Sequence, residues 1–346
     1  MVEWKKLGEI LKVHTGSQLN RSDMLEEGLY PVVNGGRDYS GYTDKYNEKA
    51  NSITISQGGE SAGFVNWIGT DFWAGAHCYV VEITDDFNVR YLYHTLKNKE
   101  RDFQTAKQGA GIPGLNRNTL YKQILSIPSL EEQNRIAGVL DTFTASIDNL
   151  KEQISLRRKQ YEYYRDQLLD LEGKEGVEMK ISDFCLLKAG KSISADDILD
   201  NRIGNVFPCV GGNGIRGYVT LYSHEGSYPV IGRQGALCGC VNWITGKFYA
   251  TEHAVVATGK ENMNQRFLYY LFENANLNQY KTQGAQPGLS VAKLNEVKFE
   301  IPSLSEQQRI VSILDTFEAS IQNLEAQLSQ REKQYEYYRN KLLTFE

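Results

Sequence analysis

Few residues of this 346-residue chain are spaced for covalent chemistry. Residues 109–114 match the G-x-G-x-x-G pattern of dinucleotide sites, but no strand–helix unit frames them and residues 284–288, the corresponding stretch, do not keep the pattern. His77 and His253 occupy corresponding places without a cysteine or carboxylate at metal-ligand spacing. The sequence has no P-loop, H-E-x-x-H, G-x-S-x-G or calcium-loop motif, and no Asn-Pro-Pro-aromatic motif of an amino-methyltransferase. We therefore predict that the chain has no catalytic or metal site of its own.

A second group of residues is suited to binding: planar or bidentate polar side chains beside glycines, which permit close approach of the backbone. Arg suits guanine and Asn or Gln suits adenine in the DNA major groove, while backbone amides near glycines suit phosphate. In the first half of the chain these candidates are Asn34, Arg37, Tyr39, Tyr42, Gln57, Glu60, Ser61, Gln108, Asn116 and Arg117. In the second half they are Asn213, Arg216, Tyr218, Tyr222, Arg233, Gln234, Glu252, Gln283 and Gln286.

Two alternatives compete with a DNA-binding surface. Ordinary turn chemistry accounts for any single candidate, because Asn and Gly populate loops of every kind, whereas the clustering of candidates favours a surface. The 21 tyrosines and Gly-rich loops also suit a pair of glycan- or protein-binding modules on a coiled-coil scaffold. That reading predicts exposed aromatic platforms and no affinity for DNA.

The elements that must position these candidates are duplicated. Residues 127–172 and 301–346 are identical at roughly 30 of 46 aligned positions. The segments upstream correspond more loosely; Val65-Asn66-Trp67, for example, returns as Val241-Asn242-Trp243. We divide the chain into a first β segment (1–126), a first helix with its linker (127–176), a second β segment (177–300) and a second helix (301–346).

Each helical segment begins at a proline followed by Ser and a polar first turn, which are helix-start signals. Apolar residues then recur at alternating steps of four and three, which is a coiled-coil seam. The first seam is Phe143, Ile147, Leu150, Ile154, Arg157, Tyr161, Tyr164, Leu168 and Leu171. The second seam is Phe317, Ile321, Leu324, Leu328, Arg331, Tyr335, Tyr338, Leu342 and Phe345.

Both seams carry an arginine in the same slot, Arg157 and Arg331. Two explanations are open: a buried polar group that fixes register, or a side chain that extends its charged end to solvent. About 40 helical residues make a rod of about 60 Å. A pseudo-twofold between the repeats would run the two helices antiparallel and hold the β segments at a fixed separation.

The β segments contain short β-branched or aromatic stretches separated by Gly-rich turns, such as Ser52–Ile55 and Tyr228–Ile231, with one clear helix each near Val89–Arg101 and Asn264–Asn276. The predicted fold class is α+β: two Gly-rich, mainly β domains joined by two long antiparallel coiled-coil helices, with a pseudo-twofold internal repeat.

Composition narrows the class of protein further. Hydrophobic residues at 41% and charged residues at 23% are globular values and exclude a collagen-like or disordered chain. No apolar run reaches the length of a membrane span, and no secretory signal is visible. The five cysteines form no C-x-x-C pair, so we expect a reduced, cytoplasmic protein without a membrane partner.

The duplicated motif at Ile127–Ile136 and Ile301–Ile310, I-P-x-L-x-E-Q-x-x-I opening a long helix, resembles the specificity subunit of type I restriction–modification systems. The segment from Ile231 to Gly239 also looks like that family's target-recognition domains. The resemblance covers essentially the whole chain and implies that each β segment is a target-recognition domain reading one half of a bipartite, asymmetric sequence in double-stranded DNA. It implies that the helices set the gap between the half-sites.

The same resemblance implies a non-catalytic chain with catalytic partners. Two modification subunits, carrying S-adenosylmethionine and methylating adenine, would dock on this scaffold. Restriction subunits, using ATP and Mg²⁺, would join for cleavage. No cofactor is expected in this chain itself.

The net charge of −5 comes from the helical segments, whereas the two β segments are together neutral. Neutral recognition domains release few counterions, so we expect affinity of the isolated chain for DNA to depend weakly on salt. Affinity of the complex with modification subunits should depend on salt much more steeply, because those subunits would supply most of the positive field. Binding titrations between 50 and 200 mM salt, roughly the range over which such contacts are lost, measure both slopes; equal slopes would contradict the prediction.

Overall fold

The computed structural model describes residues 2–83, 87–106, 114–171, 176–235, 238–282 and 288–345. The chain forms two compact units. The first unit is residues 1–152 with 325–346, and the second unit is residues 153–324. Each unit therefore combines one β segment with parts of both long helices. The boundaries of the units differ from the four segments predicted from the sequence, and that division stays a prediction.

The first unit holds the strands in three sheets. The elements are β1 (Glu3–Lys6), α1 (Leu7–Ile10), β2 (Leu11–Thr15), β3 (Tyr30–Val33), β4 (Tyr42–Thr43), β5 (Ser52–Ser56), β6 (Val65–Ile68), β7 (Trp73–Ala74), β8 (Cys78–Ile83), α2 (Val89–Asn98), α3 (Glu100–Thr105), α4 (Arg117–Tyr121), β9 (Ile124–Ile127) and α5 (Leu130–Leu169). A four-stranded sheet has the order β2-β8-β5-β6, a three-stranded sheet the order β4-β3-β7, and β1 pairs with β9. All of these pairs are antiparallel except β3 with β7.

The second unit repeats this order with longer strands. Its six-stranded sheet runs β11-β16-β14-β15-β12-β13, and β10 pairs with β17. Strand β15 corresponds to both β6 and β7 of the first unit, since it pairs with β14 as β6 pairs with β5 and with β12 as β7 pairs with β3. The counterparts of the four-stranded and three-stranded sheets are therefore one continuous sheet in the second unit. The elements are β10 (Val177–Lys180), α6 (Ile181–Phe184), β11 (Cys185–Ala189), β12 (Phe207–Gly211), β13 (Gly214–Val219), β14 (His224–Gly232), β15 (Val241–Ala250), β16 (Ala254–Gly259), α7 (Gln265–Asn274), α8 (Val291–Asn295), β17 (Lys298–Ile301) and α9 (Leu304–Leu343).

The predicted fold class is confirmed by this repeated, mainly β architecture on two 40-residue helices. The predicted helix Val89–Arg101 is shorter than expected, because the backbone breaks at Lys99 between α2 and α3. Within the described residues, no helix carries an apolar stretch long enough to cross a membrane.

The duplicated proline-to-glutamine motif joins each β segment to its helix. Gln133 is buried; its amide donates to the carbonyl of Pro128 at 3.0 Å and its oxygen accepts from the N–H of Asn88, at the start of α2, at 3.0 Å. Gln307 makes the same two bonds, to Pro302 at 2.9 Å and from Asn264 at 2.8 Å. A buried amide must have its hydrogen-bonding groups satisfied, so this geometry requires Gln in both copies.

An arginine on the first turn of each β-segment helix makes a second join. Arg90 donates from Nε to Asp141 of α5 at 2.7 Å, and its guanidinium stacks 4.3 Å from the ring centroid of Trp67. In the second unit, Arg266 donates to Asp315 of α9 at 2.8 Å and to Glu318, and stacks 4.9 Å from the ring centroid of Trp243. Charge-assisted bonds on one edge and an aromatic face beneath hold the guanidinium in one orientation.

The two long helices pair through the predicted seam. In the first unit, Phe143 of α5 stacks on Tyr338 of α9 with ring centroids 5.3 Å apart. In the second unit, Tyr164 of α5 stacks on Phe317 of α9 at 5.4 Å. The early part of each helix thus meets the late part of the other, which is antiparallel pairing. The apolar seam residues are buried or half-buried, but Tyr164 and Tyr338 are more exposed than the seam pattern predicts, with 46% and 40% of their surface accessible.

The seam arginines both contact the opposite helix. Arg157 and Arg331 are half-buried, and each guanidinium lies over a phenylalanine of the opposite helix, 5.8 Å from Phe317 and 5.7 Å from Phe143. A cation over a ring face makes a favourable electrostatic contact. The two explanations for this slot stay predictions.

The Arg266 join, which reaches from α7 to α9, predicts a contrast with a surface ion pair within α9. Arg266→Ala leaves Asp315 and Glu318 without their cation and should lower the free energy of unfolding by about 1–3 kcal/mol. Arg309→Ala, which removes an exposed pair with Glu306, should cost no more than about 0.5 kcal/mol. Urea titrations of both variants measure the difference; similar costs would contradict the role of Arg266.

His94 gives the first unit a pH dependence. Its Nδ1 lies 2.9 Å from the Tyr335 hydroxyl and its Nε2 lies 2.7 Å from Asp141, and the side chain is fully buried. Burial lowers the pKa of His94 below its ordinary value, against the raising effect of Asp141 and with Arg90 and Arg339 lowering it further. As pH falls through about 6.5, the unfolded chain binds a proton that folded His94 does not, so stability falls.

The test replaces His94 with a side chain that keeps hydrogen bonds but does not titrate. His94→Gln should lose less stability than the wild type between about pH 7.5 and 5.5 in urea titrations. The second unit has Tyr270 at the equivalent position, and its hydroxyl donates to Asp315 at 2.6 Å. Amide hydrogen exchange of the second unit, measured over the same pH range, is therefore the internal control. An unchanged pH dependence in the variant would refute the assignment.

Candidate nucleic-acid interface

Three loops meet at the end of β5 in the first unit. The N–H of Gln57 donates to the carbonyl of His77 at 2.9 Å, and the carbonyl of Gln57 accepts from the N–H of Leu115 at 2.7 Å. Gly35 lies against the same place: a Cβ there would stand 2.6 Å from the His77 oxygen, and its φ of +86° favours glycine. We call Gly35, Gln57, His77 and Leu115 the loop junction of the first unit.

The second unit builds the same junction from Gly212, Arg233, His253 and Leu289. The N–H of Arg233 donates to the carbonyl of His253 at 2.8 Å, and the carbonyl of Arg233 accepts from the N–H of Leu289 at 2.8 Å. The backbone bonds are therefore those of the first unit, whereas the central side chain is Arg instead of Gln.

The side chain of Gln57 lines a cavity together with Tyr79. The hydroxyl of Tyr79 donates to the carbonyl of Leu115 at 3.1 Å. Burial raises the pKa of Tyr79, which stays a neutral hydrogen-bonding group. The guanidinium of Arg117 lies 5.7 Å from the Tyr79 ring centroid, and Gln57, Tyr79 and Arg117 line a cavity of about 420 Å³.

A hydrogen bond from Nε holds the side chain of Arg233 in place. Its Nε donates to the carbonyl of Leu289 at 3.2 Å, which orients the guanidinium plane. Its two terminal nitrogens make no hydrogen bond with any other residue that the structure describes. The half-buried side chain thus keeps a two-pronged donor available for a ligand.

Several other candidates of the first unit serve local structure. The Asn116 side chain caps α4 by accepting from the N–H of Asn118 at 2.8 Å. The Asn34 side-chain oxygen faces the N–H of His77 at 3.5 Å, and the Ser61 carbonyl accepts from Phe64. The Asn116 side chain and the Ser61 backbone thus contribute to local structure, and the DNA contacts of these two residues stay predictions.

The remaining described candidates of the first unit are not among the residues that line the cavity beside Gln57. Arg37 is exposed and lies 5.7 Å from the Phe64 ring centroid. Tyr39 and Tyr42 form an edge-on pair at 6.2 Å; burial raises the pKa of Tyr39, as do Tyr42 and Asp148 of α5. Glu60 is exposed, next to Gly59.

In the second unit, Gln234 is exposed next to Arg233 and pairs through its backbone with Gly288. Glu252 accepts from the Ser192 hydroxyl at 3.4 Å and lies 3.4 Å from His253. The other candidates lie on or beside the β12–β13 hairpin: Asn213 and Arg216 exposed, Tyr218 half-buried, and Tyr222 edge-on to Phe207. Gln108, Gln283 and Gln286 lie outside the described residues.

Two residues that the sequence did not single out belong to these surfaces. Tyr79 lies in an apolar stretch that is predicted to be a strand, so its neighbours in the sequence do not distinguish it from an ordinary core residue. Lys247 lies with its Nζ 4.6 Å from the Tyr222 ring centroid, and only the β14–β15 register brings the two together.

The described residues contain no group of three or more His, Cys, Asp or Glu side chains arranged to hold a metal ion. Four of the five cysteines are buried, and burial raises the pKa of Cys78 and of Cys185 to about 12. These thiols are core residues.

Two copies of one β unit, each joined to its own helix and each with the same loop junction, define a duplicated recognition protein. The chain belongs to the family of the type I restriction modification DNA specificity domain, whose model matches residues 1–157 and 174–332. The resemblance read from the duplicated motif is thereby confirmed, and the family disfavours the glycan-binding alternative.

Individual relatives agree. The specificity subunit of the type I restriction enzyme EcoprrI from Escherichia coli is 44% identical over 197 residues, covering 55% of this chain but only about half (49%) of that protein. The EcoR124I/EcoR124II specificity subunit from the same species is 27% identical over 391 residues, covering 99% of this chain and 94% of that protein. The crystal structure of a type I restriction–modification S subunit from M. genitalium shares the fold, with a TM-score of 0.74 at 20% identity over 100% of this chain and 97% of that one.

Proposed function

We propose that this chain is the non-catalytic specificity subunit of a type I restriction–modification complex and reads a bipartite, asymmetric target in double-stranded DNA. The observation that carries the proposal is the loop junction, built twice with the same backbone bonds and with different side chains at its centre. Equal backbones place two reading surfaces in equivalent positions, and different side chains give them different sequence preferences.

The two long helices set the gap between the half-sites. Their antiparallel pairing through the seam, together with the Arg90 and Arg266 joins, leaves each β segment little freedom relative to its own helix. A fixed gap in the target requires rigidity of this kind, because a flexible connection would accept several gap lengths.

The partners follow from the family. Two modification subunits would bring S-adenosylmethionine and the adenine methyltransferase activity, and restriction subunits would bring ATP- and Mg²⁺-dependent cleavage. The helices carry the excess acidic charge of the chain, which suits docking against the partner subunits rather than against DNA. Such a complex acts on chromosomal DNA in the cytoplasm.

Methylation mapping tests the proposal. Genomic DNA from cells that express this chain with its modification subunit should carry methyladenine in one two-part motif with a constant gap. Cells with the modification subunit alone should lack the motif. A motif that persists without this chain would refute the proposal.

Exchange of a domain assigns the halves. Replacing residues 1–126 with the corresponding segment of a relative should change one half of the motif and leave the other half and the gap unchanged. If both halves or neither changed, the assignment of one half-site to each β segment would be wrong.

A further inference from the structure

We propose that residue 57 and residue 233 are the equivalent specificity-determining positions of the two units, with Gln57 reading an adenine in one half-site and Arg233 a guanine in the other. The inference rests on the proposed function and goes beyond it by naming one base contact in each half. It starts from the loop junction, where these two residues occupy the same backbone position.

The equivalence is set by the backbone rather than by alignment of similar residues. Both residues follow a central strand, donate to the histidine of the neighbouring loop and accept from a buried leucine, at distances that agree within about 0.1 Å. Both are followed two residues later by a glycine with positive φ, Gly59 at +76° and Gly235 at +90°. A side chain at either position therefore leaves the surface from the same scaffold.

Within the described residues, space is open beside both positions. A Cβ built at Gly58, Gly59 or Gly235 would meet no other described atom within 4 Å. A base edge can therefore approach the backbone at these glycines without contacting another residue that the structure describes.

Each side chain also carries hydrogen-bonding groups suited to one base. Gln57 lines the same cavity as Tyr79 and Arg117, and its amide presents one donor and one acceptor, which matches N7 and the N6 amino group of adenine. Leu289 holds Nε of Arg233, and the terminal nitrogens form the two-donor fork that matches O6 and N7 of guanine. Orientation before binding reduces the entropy lost when the contact forms.

The reciprocal variants Gln57→Arg and Arg233→Gln test the inference in the complete complex with modification subunits. Methylation mapping should show that Gln57→Arg changes one A·T pair of one half-site to G·C. Arg233→Gln should change one G·C pair of the other half-site to A·T. In binding assays, each variant should reverse a preference of about 10- to 100-fold at that single position. The other half-site and the gap should stay unchanged.

The control is Gln123→Arg, which adds the same charge to the first unit beyond the C-terminal end of α4 and should leave the motif unchanged. If a reciprocal variant does not fold, as judged by its thermal melting, Gln57→Ala and Arg233→Ala replace it. Each should relax selectivity at one position of one half-site.

The possible failures are distinguishable. A wild-type complex without a two-part motif refutes the proposed function. A wild-type motif that Gln57→Arg and Gln57→Ala leave unaltered refutes the inference and leaves the proposed function intact. A uniform loss of affinity across all sequences also refutes it, because it would assign residue 57 to the phosphate backbone.

Discussion

The bonds between Arg90 and Asp141 in the first unit, and between Arg266 and Asp315 in the second, hold each β segment to its long helix. Each joins the first turn of a β-segment helix to a long helix, and the buried Gln133 or Gln307 joins the same two elements a few residues away. Two polar joins in different directions leave little room for rotation. A recognition surface at the end of a central strand inherits its position from these joins.

The two copies differ where a recognition protein can change without losing its fold. The joins keep their residue types: Gln to Asn, Arg to Asp, and a tryptophan beneath the guanidinium. The loop junction keeps its backbone bonds but exchanges Gln57 for Arg233. Under the proposed function, a change of specificity needs only new side chains on the same backbone. The same separation explains why the helical segments remained similar while the β segments diverged.

The seam and the duplicated architecture could be predicted because helical periodicity and repetition are written along the chain. The contact that Arg157 makes could not be predicted, because it involves Phe317, a residue more than a hundred positions away in the sequence. The site was predictable only in part. Glycine neighbours pointed to Gln57 and Arg233, but the same criterion selected Asn116, whose side chain caps a helix. Tyr79 carried no local signal, because its role arises from strand pairing.

The first unit is discontinuous in sequence, since residues 325–346 complete it, whereas the second unit is one continuous stretch. Tyr335 covers His94, and Leu343 belongs to the cluster that contains Ile136 and Leu140. Because synthesis runs from residue 1 onward, Ile136 and Leu140 of α5 are made before the residues of α9 that cover them, and all of the second unit is made in between. The first unit can therefore complete its packing only after the second unit has been synthesised.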